Sequence, residues 1–267
     1  MDKYRHKYNV ILDNMDISNY TMRPIAVIMY LQDAFARYTA TKRMAAYDLF
    51  PKNLYWVVSE FNIEFPDKMP FWSEDIDAEI WISELTKLKI YVDFRFYYKD
   101  KVFAQGNSCW YVLSQETRRP VKTDFLSDVL NVCNDFVMGE HKKFNLSETG
   151  DKISEVQHKN NLSDIDFNSH VNNKSYINIA DASVDKNFKK THKLKTLNIK
   201  FLRESFLDDL LICSTYKTDS ENRFVHKITK DDEPVCEIQS AWENKTISKE
   251  TILEYDMDVK NEKLSVF

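Results

Sequence analysis

A short polar segment in the second half of the chain carries the residue types that attack on a carbonyl requires. Asp166, Asn168 and His170 supply a carboxylate, an amide and an imidazole, with one residue between each. In an extended chain, residues two apart share a face, so these side chains are expected to point the same way. Together they could activate water, carry a proton and donate a hydrogen bond. The spacing equally fits a polar loop whose Asp and Asn side chains cap a helix and whose His170 is exposed.

A helix is predicted directly after this segment. Asn172 or Asn173 suits the N-cap position, and the stretch that follows places apolar residues on one helical face: Tyr176, Ile177, Ala180 and Val184. The N-terminus of a helix has free N–H groups and a partial positive charge. Because a developing oxyanion would be stabilised there, the oxyanion site is expected at Val171, Asn172 and Asn173.

The elements that must position this segment occur in both halves of the chain. In the first half, a predicted helix opens at Pro24 and runs to about Met44, with apolar residues at helical spacing: Ile28, Leu31, Phe35 and Tyr38. Extended segments follow at 55–65, 78–82, 90–98 and 102–113, and the strict alternation of 90–98 is typical of a half-buried strand. After the second helix, extended segments follow at 196–202, 210–216, 224–228 and 234–242.

Short runs of residues also correspond between the two halves. Asn62-Ile63-Glu64-Phe65 matches Asn198-Ile199-Lys200-Phe201, and Ser108-Cys109-Trp110 matches Ser240-Ala241-Trp242. A long helix followed by antiparallel strands, present twice, predicts an α+β fold in which each half wraps a sheet around a central helix. Chance similarity between two α+β halves is the alternative.

This repeat divides the chain into four parts. An N-terminal unit of residues 1–122 is followed by a connector of 123–150, in which 123–138 is predicted to be an amphipathic helix. A C-terminal unit of 151–245 carries the polar segment, and the charged tail of 246–267 is assigned no role.

The composition excludes several classes of function. The net charge of -5 argues against general attraction to nucleic acid or an anionic membrane, and 3 well-separated glycines argue against a glycine-rich phosphate cradle. No apolar run reaches the roughly 20 residues that cross a bilayer, and the charged N-terminus lacks the features of a secretory or transit peptide. The 4 cysteines lack metal-ligand spacing, and Cys109 and Cys236 are expected to be buried free thiols. These features predict a cytoplasmic protein.

The run Asp-x-Asn-x-His-Val-Asn-Asn-x-x-Tyr at 166–176 resembles the active-site motif of the acyl-acyl carrier protein thioesterases, the plant plastid enzymes and their bacterial relatives. Arg23-Pro24 with Leu31-Gln32-Asp33-Ala34 is similar to the family's first central helix. Trp56-Val57-Val58-Ser59 and Thr117-Arg118-Arg119-Pro120 are similar to strand segments of its N-terminal half, and Phe201-Leu202-Arg203-Glu204 to its second catalytic segment. The resemblance covers roughly residues 7–242 and implies a tandem hotdog fold.

The resemblance implies a thioesterase that releases free fatty acid from acyl carrier protein, with no cofactor and no metal. Carried over by position, the catalytic set is Asp166, Asn168, His170 and Glu204. Either Glu204 or Asp166 would activate water or attack directly, while His170 relays a proton. An ordinary surface ion pair of Glu204 with Arg203 or a nearby Lys is the alternative. The plant enzymes usually have Cys after this Glu, and Ser205 at that position argues against a cysteine nucleophile here.

An acyl chain needs an apolar tunnel, and an acidic carrier protein needs a basic docking surface. The candidate tunnel residues, for which core packing is the alternative, are Met29, Phe35, Phe61, Trp81, Phe94 and Phe96. The candidate docking residues, for which an ordinary solvated charge cluster is the alternative, are Arg118, Arg119, Lys189, Lys190 and Lys193, with Lys122 and Lys195 near them in sequence. Acyl carrier protein is the expected partner, without nucleic acid or a membrane span, and the chain is expected to be a monomer or a homodimer.

Two other functions fit the same residues. A hotdog thioesterase specific for coenzyme A esters would hydrolyse acyl-CoA at least as fast as the carrier-bound thioester. A tandem hotdog that binds acyl chains without turnover would hydrolyse neither. A hotdog dehydratase fits less well, because none of the 6 histidines stands beside the Phe-Pro-rich motif typical of that chemistry.

Overall fold

The computed structural model describes residues 3–16, 21–141, 144–166 and 168–245. In the first half the strands, β1 to β5 in chain order, are Tyr4–Asn9, Leu54–Glu64, Asp75–Leu85, Ile90–Tyr98 and Lys101–Ser114. In the second half the strands, β6 to β10, are Lys152–Lys159, His192–Phe201, Leu210–Lys217, Arg223–Lys230 and Glu233–Asn244. The α-helices, α1 to α5, are Ile25–Thr41, Ala46–Leu49, Asp124–Ser127, Asn173–Ala182 and Lys186–Thr191. Short 3-10 turns occupy Leu12–Asn14, Phe50–Lys52 and Leu162–Asp164.

All of these strands join one 10-stranded sheet, in the order β1-β3-β4-β5-β2-β7-β10-β9-β8-β6. The order repeats when it is read inward from either edge, because β1, β3, β4, β5 and β2 correspond to β6, β8, β9, β10 and β7. The two halves meet where β2 pairs antiparallel with β7, and Asn62 there lies opposite Asn198. The predicted α+β fold, with a helix and an antiparallel sheet in each half, is confirmed.

The two longer helices pack against the sheet and against each other. Helix α1 contacts β1, β3 and α4, while α4 contacts β6, β8, β9 and β10. The apolar positions that predicted α1 are all buried: Ile28, Leu31, Phe35 and Tyr38. Since α1 begins after Pro24, whose fixed φ suits the entry to a helix, the sequence sets both its start and its buried face.

The repeated tryptophans make the same local contact in each half. Trp110 Nε1 donates to Ser108 Oγ at 2.8 Å, and Trp242 Nε1 donates to Ser240 Oγ at 3.0 Å. The two residues of each pair are two apart on one strand, so both side chains lie on the same face of the sheet. The correspondence seen in the sequence therefore extends to side-chain geometry.

The predicted helix over 123–138 is wrong. Only α3 in this stretch is helical, and the chain beyond it crosses the outer face of β3 and β4. There Cys133 N donates to Ile82 O at 2.8 Å, Trp81 Nε1 donates to Asp135 O at 2.7 Å, and Val137 N donates to Asp93 Oδ1 at 2.8 Å. Leu126, Leu130 and Cys133 are buried while Val132 is exposed, so the apolar residues of this segment do not form one helical face, and the bonds to β3 and β4 replace helical hydrogen bonds.

The described residues fit two further expectations from composition. None of their helices has the length and apolar character needed to cross a membrane. Cys109 and Cys236 are buried free thiols, as predicted, and burial raises the pKa of both. The unit boundaries at residues 122, 150 and 245 stay predictions, and the tail of 246–267 lies outside the described residues.

Candidate active site

Asp166 and residues 168–170 are held together as a tight turn and not as an extended strand. Ser169 N donates to Asp166 O at 3.0 Å, Asp166 N donates to His170 O at 2.8 Å, and Ser169 has a φ of 65°. Since the chain reverses at Ser169, the expectation that alternate side chains share a face is wrong. Asn168 lies exposed on this turn, and His170 is partly buried at its end.

The carboxylate of Asp166 folds back onto its own turn. Asp166 Oδ1 accepts the backbone N–H of Asn168 at 2.8 Å and that of His170 at 3.2 Å. A short acidic side chain that accepts from amides two residues further on stabilises a reversal of this kind. Asp166 therefore fixes the backbone that presents His170.

Helix α4 begins directly after the turn, and Asn172 is its N-cap. Asn172 Oδ1 accepts from Lys174 N at 3.0 Å, as predicted for this position. The backbone N–H of Val171 donates to Ser205 O at 2.8 Å, and that of Asn172 donates to Asp164 O at 2.7 Å. Asn173 bonds to neither carbonyl, and an N–H at the first helical position has no acceptor within the helix. Of the three backbone amides predicted for an oxyanion site, Val171 and Asn172 thus donate to these carbonyls, and the amide of Asn173 remains available to donate to an oxyanion.

The loop between β7 and β8 brings Glu204 beside His170. The bond from Val171 to Ser205 ties this loop to the helix start, and His170 Nδ1 lies 3.6 Å from Glu204 Oε1. That separation is slightly longer than a hydrogen bond, as catalytic pairs often are without substrate. Phe206 packs its ring edge-on to His170 with centroids 5.3 Å apart. A base and an imidazole are therefore adjacent at the N-terminus of α4.

Arg118 reaches this pair from the other half of the chain. Its Nη1 lies 2.8 Å from Glu204 Oε2, 3.4 Å from His170 Nε2 and 3.5 Å from the Tyr55 hydroxyl. Thr117-Arg118-Arg119 form a turn after β5 and not part of a strand, which corrects the expectation taken from the resemblance. The pKa of Arg118 is raised, first by the hydrogen bond with Tyr55 and next by the charge of Glu204.

The ion pair between Glu204 and Arg203, given above as the alternative to a catalytic role, does not form. Arg203 Nη1 lies 2.9 Å from Glu233 Oε2, so the two adjacent residues point to different partners. Sequence reasoning missed Tyr55 and Phe206, and it assigned Arg118 to carrier docking alone. Apart from the Arg118 in the quoted Thr-Arg-Arg-Pro run, no spacing signal linked Tyr55 or Arg118 to the catalytic motif, since both lie in the other half of the chain, whereas Phe206 stands two residues after Glu204 in the same loop.

Ser205, next to the candidate base, is fully buried. Its hydroxyl lies near the Tyr176 phenol without a hydrogen bond of good geometry. Burial raises the pKa of Tyr176 to about 12, so this phenol stays neutral at physiological pH. Neither hydroxyl has a base beside it that would make it a nucleophile.

The first half repeats the backbone of the site without its chemistry. Arg23 N donates to Asn14 O at 2.7 Å as Asn172 N does to Asp164 O, and Met22 N donates to Pro70 O at 2.7 Å as Val171 N does to Ser205 O. By this correspondence Thr21 stands where His170 is, and Met69 stands where Glu204 is. Neither residue can act as a base. The described residues therefore hold this pair of groups once per chain.

The candidate tunnel residues do not all lie on one side of the sheet. Phe35 of α1 and Phe61, Phe94 and Phe96 of the strands are buried in the core, whereas Met29 of α1 is half-buried and lies outside that core. Trp81 alternates with Ile80 and Ile82 on β3 and lies on the opposite face, where Lys3 Nζ stands 3.8 Å from the centroid of its ring. The structure therefore does not bring Trp81 to the helix-facing side, because strand residues of both faces are buried here.

The candidate docking residues fall into two separate groups. Arg118 contacts the His170–Glu204 pair and Arg119 follows it on the same turn, whereas Lys189 and Lys190 lie on α5 and Lys193 on β7. Lys189 pairs with Asp181 at 2.8 Å and Lys193 with Glu243 at 3.0 Å, while Lys190 Nζ donates to Asn187 Oδ1 at 3.1 Å. Helix α4 separates the two groups, and its 10 residues span about 15 Å. Within the described ranges, no group of three or more His, Cys, Asp or Glu side chains could hold a metal ion.

Comparison with known proteins gives the same family over both halves. The family model of the acyl-ACP thioesterase N-terminal domain matches residues 1–130, and that of the acyl-ACP thioesterase C-terminal domain matches residues 147–244. The chain is 27% identical over 188 residues to an oleoyl-acyl carrier protein thioesterase from Coriandrum sativum, which covers 66% of this chain and 51% of that protein. The chain thus spans about half the length of the curated relatives that it matches.

Solved structures give the same fold. An acyl-ACP thioesterase from Bacteroides thetaiotaomicron is 22% identical with a TM-score of 0.78, over 90% of this chain and 98% of that one. A putative oleoyl thioesterase from Lactobacillus plantarum is 19% identical with a TM-score of 0.81, over 92% and 98%. These likenesses confirm the tandem hotdog fold, and together with the two family models, which match nearly the whole length, they lead to one conclusion. The chain belongs to the acyl-ACP thioesterase family.

Proposed function

We propose that the protein hydrolyses fatty acyl thioesters of acyl carrier protein to free fatty acid and the carrier thiol. The observation that carries the proposal is the proximity of His170 and Glu204 at the N-terminus of α4, where Nδ1 and Oε1 are 3.6 Å apart. Family membership supports the same reaction, because the relatives reported above are named for it.

In this mechanism Glu204 is the base. It takes a proton from a water molecule, whose oxygen attacks the thioester carbonyl carbon and forms a tetrahedral oxyanion. The amide of Asn173 and the exposed side chain of Asn168 stabilise that oxyanion. The carbon–sulfur bond then breaks, and the proton passes from Glu204 through His170 to the departing sulfur. Water and thioester thus become a carboxylic acid and a thiol, with no other reactant.

Glu204 suits the role of base better than Asp166 does. Asp166 uses Oδ1 for two backbone amides of its own turn, whereas Glu204 faces the imidazole of His170. A base must lie within reach of the proton that it moves. We therefore propose that Glu204 and His170 perform the chemistry and that Asp166 holds their backbone.

The core residues Phe35, Phe61, Phe94 and Phe96, together with the half-buried Met29 of α1, are our candidates for contacts with the acyl chain. Carrier docking is proposed at Arg119, the exposed residue that follows Arg118 on the turn, and not at the lysines of α5 and β7, which have acidic or amide partners. The cytoplasm is proposed as the compartment, which the four buried free cysteines support.

The test is hydrolysis of a panel of acyl-carrier-protein thioesters beside the matching acyl-CoA esters, with His170→Ala as the control variant. We expect turnover on the carrier-bound panel that falls by about 10²-fold or more in His170→Ala. Equal or faster turnover of acyl-CoA would favour a CoA-specific thioesterase. Tight fatty-acid binding without turnover on either panel would favour a binding protein.

A further inference from the structure

The guanidinium of Arg118 occupies the space between two groups of the other half. It contacts Glu204 Oε2 at 2.8 Å and His170 Nε2 at 3.4 Å through the same nitrogen, Nη1. Tyr55 closes the other side, with its ring centroid 6.0 Å from the guanidinium carbon. Three side chains from three elements thus hold this one cation at the candidate site.

The backbone of Arg118 is held firmly by the turn after β5. Arg118 N donates to Ser114 O at 2.9 Å, and Ser114 N donates to Arg119 O at 3.0 Å. The φ of Arg118 is 57°, a conformation that residues other than glycine seldom adopt. Such a conformation persists where its surroundings enforce it, and it is often found at functional sites. The turn therefore directs this side chain towards Glu204.

The contact with Arg118 also determines which nitrogen of His170 carries the proton. Every N–H of a guanidinium donates, so the contact at 3.4 Å requires the lone pair of His170 Nε2. The proton of the neutral ring is then on Nδ1, which faces Glu204 Oε1 at 3.6 Å. His170 can then give this Nδ1 proton to the departing sulfur and take the proton of Glu204 in its place, which leaves both groups as they began.

We propose that Arg118 is a positioning residue of the thioesterase reaction, supplied by the N-terminal half to the His170–Glu204 pair of the C-terminal half. It keeps the Glu204 carboxylate aligned and holds His170 in the tautomer with the proton on Nδ1. This role rests on the proposed function and replaces carrier docking as the task of Arg118. It also gives the inactive first half a direct part in catalysis.

The chain offers a matched control for this residue. Arg203 is adjacent to Glu204 in sequence, its side chain is 58% exposed against 54% for Arg118, and it is likewise paired with one carboxylate, Glu233. Arg118→Met and Arg203→Met remove the same charge and keep an apolar stem. Only the first of them disturbs the His170–Glu204 pair.

The experiment compares each variant on two substrates, an acyl-carrier-protein thioester and the same acyl chain on N-acetylcysteamine, which has no carrier. We expect Arg118→Met to lower kcat by about 10- to 100-fold on both substrates, with KM nearly unchanged, because the loss lies in the chemical step. Arg203→Met should stay within about threefold of the unchanged protein. Arg118→Lys should recover part of the loss, since an ammonium keeps the charge but not the planar fork.

A second measurement places Arg118 and Glu204 in a double-mutant cycle. In a Glu204→Gln background, Arg118→Met should add less than about threefold, because residues that act as a unit are not additive. A raised KM on the carrier substrate alone, or a full additive loss in the Glu204→Gln background, would overturn the proposal in favour of docking. Arg118→Lys keeps the test valid if Arg118→Met folds poorly.

The failure of this proposal is distinguishable from failure of the proposed function. If the unchanged protein hydrolyses neither substrate, the function is contradicted, and this positioning role is overturned with it. If it hydrolyses them and Arg118→Met is equally active, only the role of Arg118 is overturned.

Discussion

Asn62 of β2 lies directly opposite Asn198 of β7, at the point where the two halves of the sheet meet. Outward from this pair, each half repeats the same order of strands. The chemistry is not repeated, because Thr21 and Met69 occupy the positions that correspond to His170 and Glu204. Although the fold is duplicated, the described residues therefore form one candidate site of this kind. It lies in the C-terminal half, and the N-terminal half contributes Tyr55 and Arg118 to it.

The tight contact of β5 with β2 depends on Gly106. A Cβ at this position would stand 1.9 Å from Asn62 O, which is backbone and cannot move aside. We expect Gly106→Ala to lower the free energy of unfolding by about 3 kcal/mol or more in urea titration. At Gly150 the nearest atom to a Cβ is Lys217 O at 3.4 Å, so Gly150→Ala is the control and should cost less than about 1 kcal/mol. Equal effects of the two substitutions would contradict this packing.

Two substitutions of Asp166 separate its backbone role from a catalytic one. Asparagine retains an oxygen that can accept the amides of Asn168 and His170, whereas alanine removes it. We expect Asp166→Asn to keep more than about a tenth of the turnover of the unchanged protein. Asp166→Ala should turn over at least about tenfold more slowly than Asp166→Asn, because hydrogen bonds to a charged group are each worth about 1.5–3 kcal/mol. Steady-state kinetics on one thioester would decide this. If both variants lose turnover equally, the charge of Asp166 takes part in the chemistry.

The Ser205 hydroxyl should be dispensable. It is buried without a hydrogen bond of good geometry, and no base activates it. Ser205→Ala should keep turnover within about threefold and leave the free energy of unfolding unchanged or raised by about 1 kcal/mol, because an unsatisfied polar atom is removed. Thermal unfolding together with kinetics would measure both effects, and Ser205→Cys serves as the isosteric comparison. A loss of a hundredfold or more in Ser205→Ala would make this hydroxyl a participant.

Stability should fall in mild acid because of His226. Its Nδ1 lies 2.9 Å from Thr215 Oγ1 and its Nε2 3.1 Å from Ser240 Oγ, and burial lowers the pKa of His226 to about 4. The unfolded chain, in which the pKa of a histidine is about 6.5, takes up this proton first as the pH falls. The neutral, buried His226 therefore makes its full contribution to stability above about pH 6.5, and this contribution is lost as the pH falls towards 4. The free energy of unfolding should decrease by about 2 kcal/mol between pH 7 and pH 5.

The measurement for His226 is urea unfolding at pH 7 and pH 5, compared with His226→Asn. The variant should be less stable at pH 7 but should lose about 2 kcal/mol less on acidification. Identical pH dependence in the two proteins would contradict the buried neutral state of His226.

The sequence was sufficient for α1, α4 and eight of the strands because their hydrophobic periods are local, but no predicted segment corresponds to the edge strands β1 and β6. The alternation of 90–98 predicted β4 with its observed bounds, and Pro24 with the apolar positions after it predicted α1. The same local reasoning was wrong for 123–138, where an apolar pattern is buried by crossing a sheet. It was also wrong for 166–170, where Ser169 and the carboxylate of Asp166 reverse the chain.

The arrangement of the candidate site depends on contacts that no local pattern contains. Arg118 and Glu204 are 86 residues apart in the sequence. Arg203 next to Glu204, or Arg119 next to Arg118, would have been an equally plausible partner for the Glu204 carboxylate. Trp81 was misplaced because β3 is buried on both faces, so its side chains do not reveal which face meets the helix. Motif resemblance supplied Glu204, His170 and Asp166, while the contacts in the structure are the basis on which we propose unequal roles for them.

The most direct test of the central claim is the turnover of Glu204→Gln on the thioester that the unchanged protein cleaves fastest. Glu233→Gln is the matched control, because Glu233 also pairs with one arginine, at 2.9 Å, but lies away from His170. We predict a loss of about 10³-fold for Glu204→Gln and less than about threefold for Glu233→Gln, with both proteins folded. Near-normal turnover in folded Glu204→Gln would contradict the assignment of Glu204 as the base.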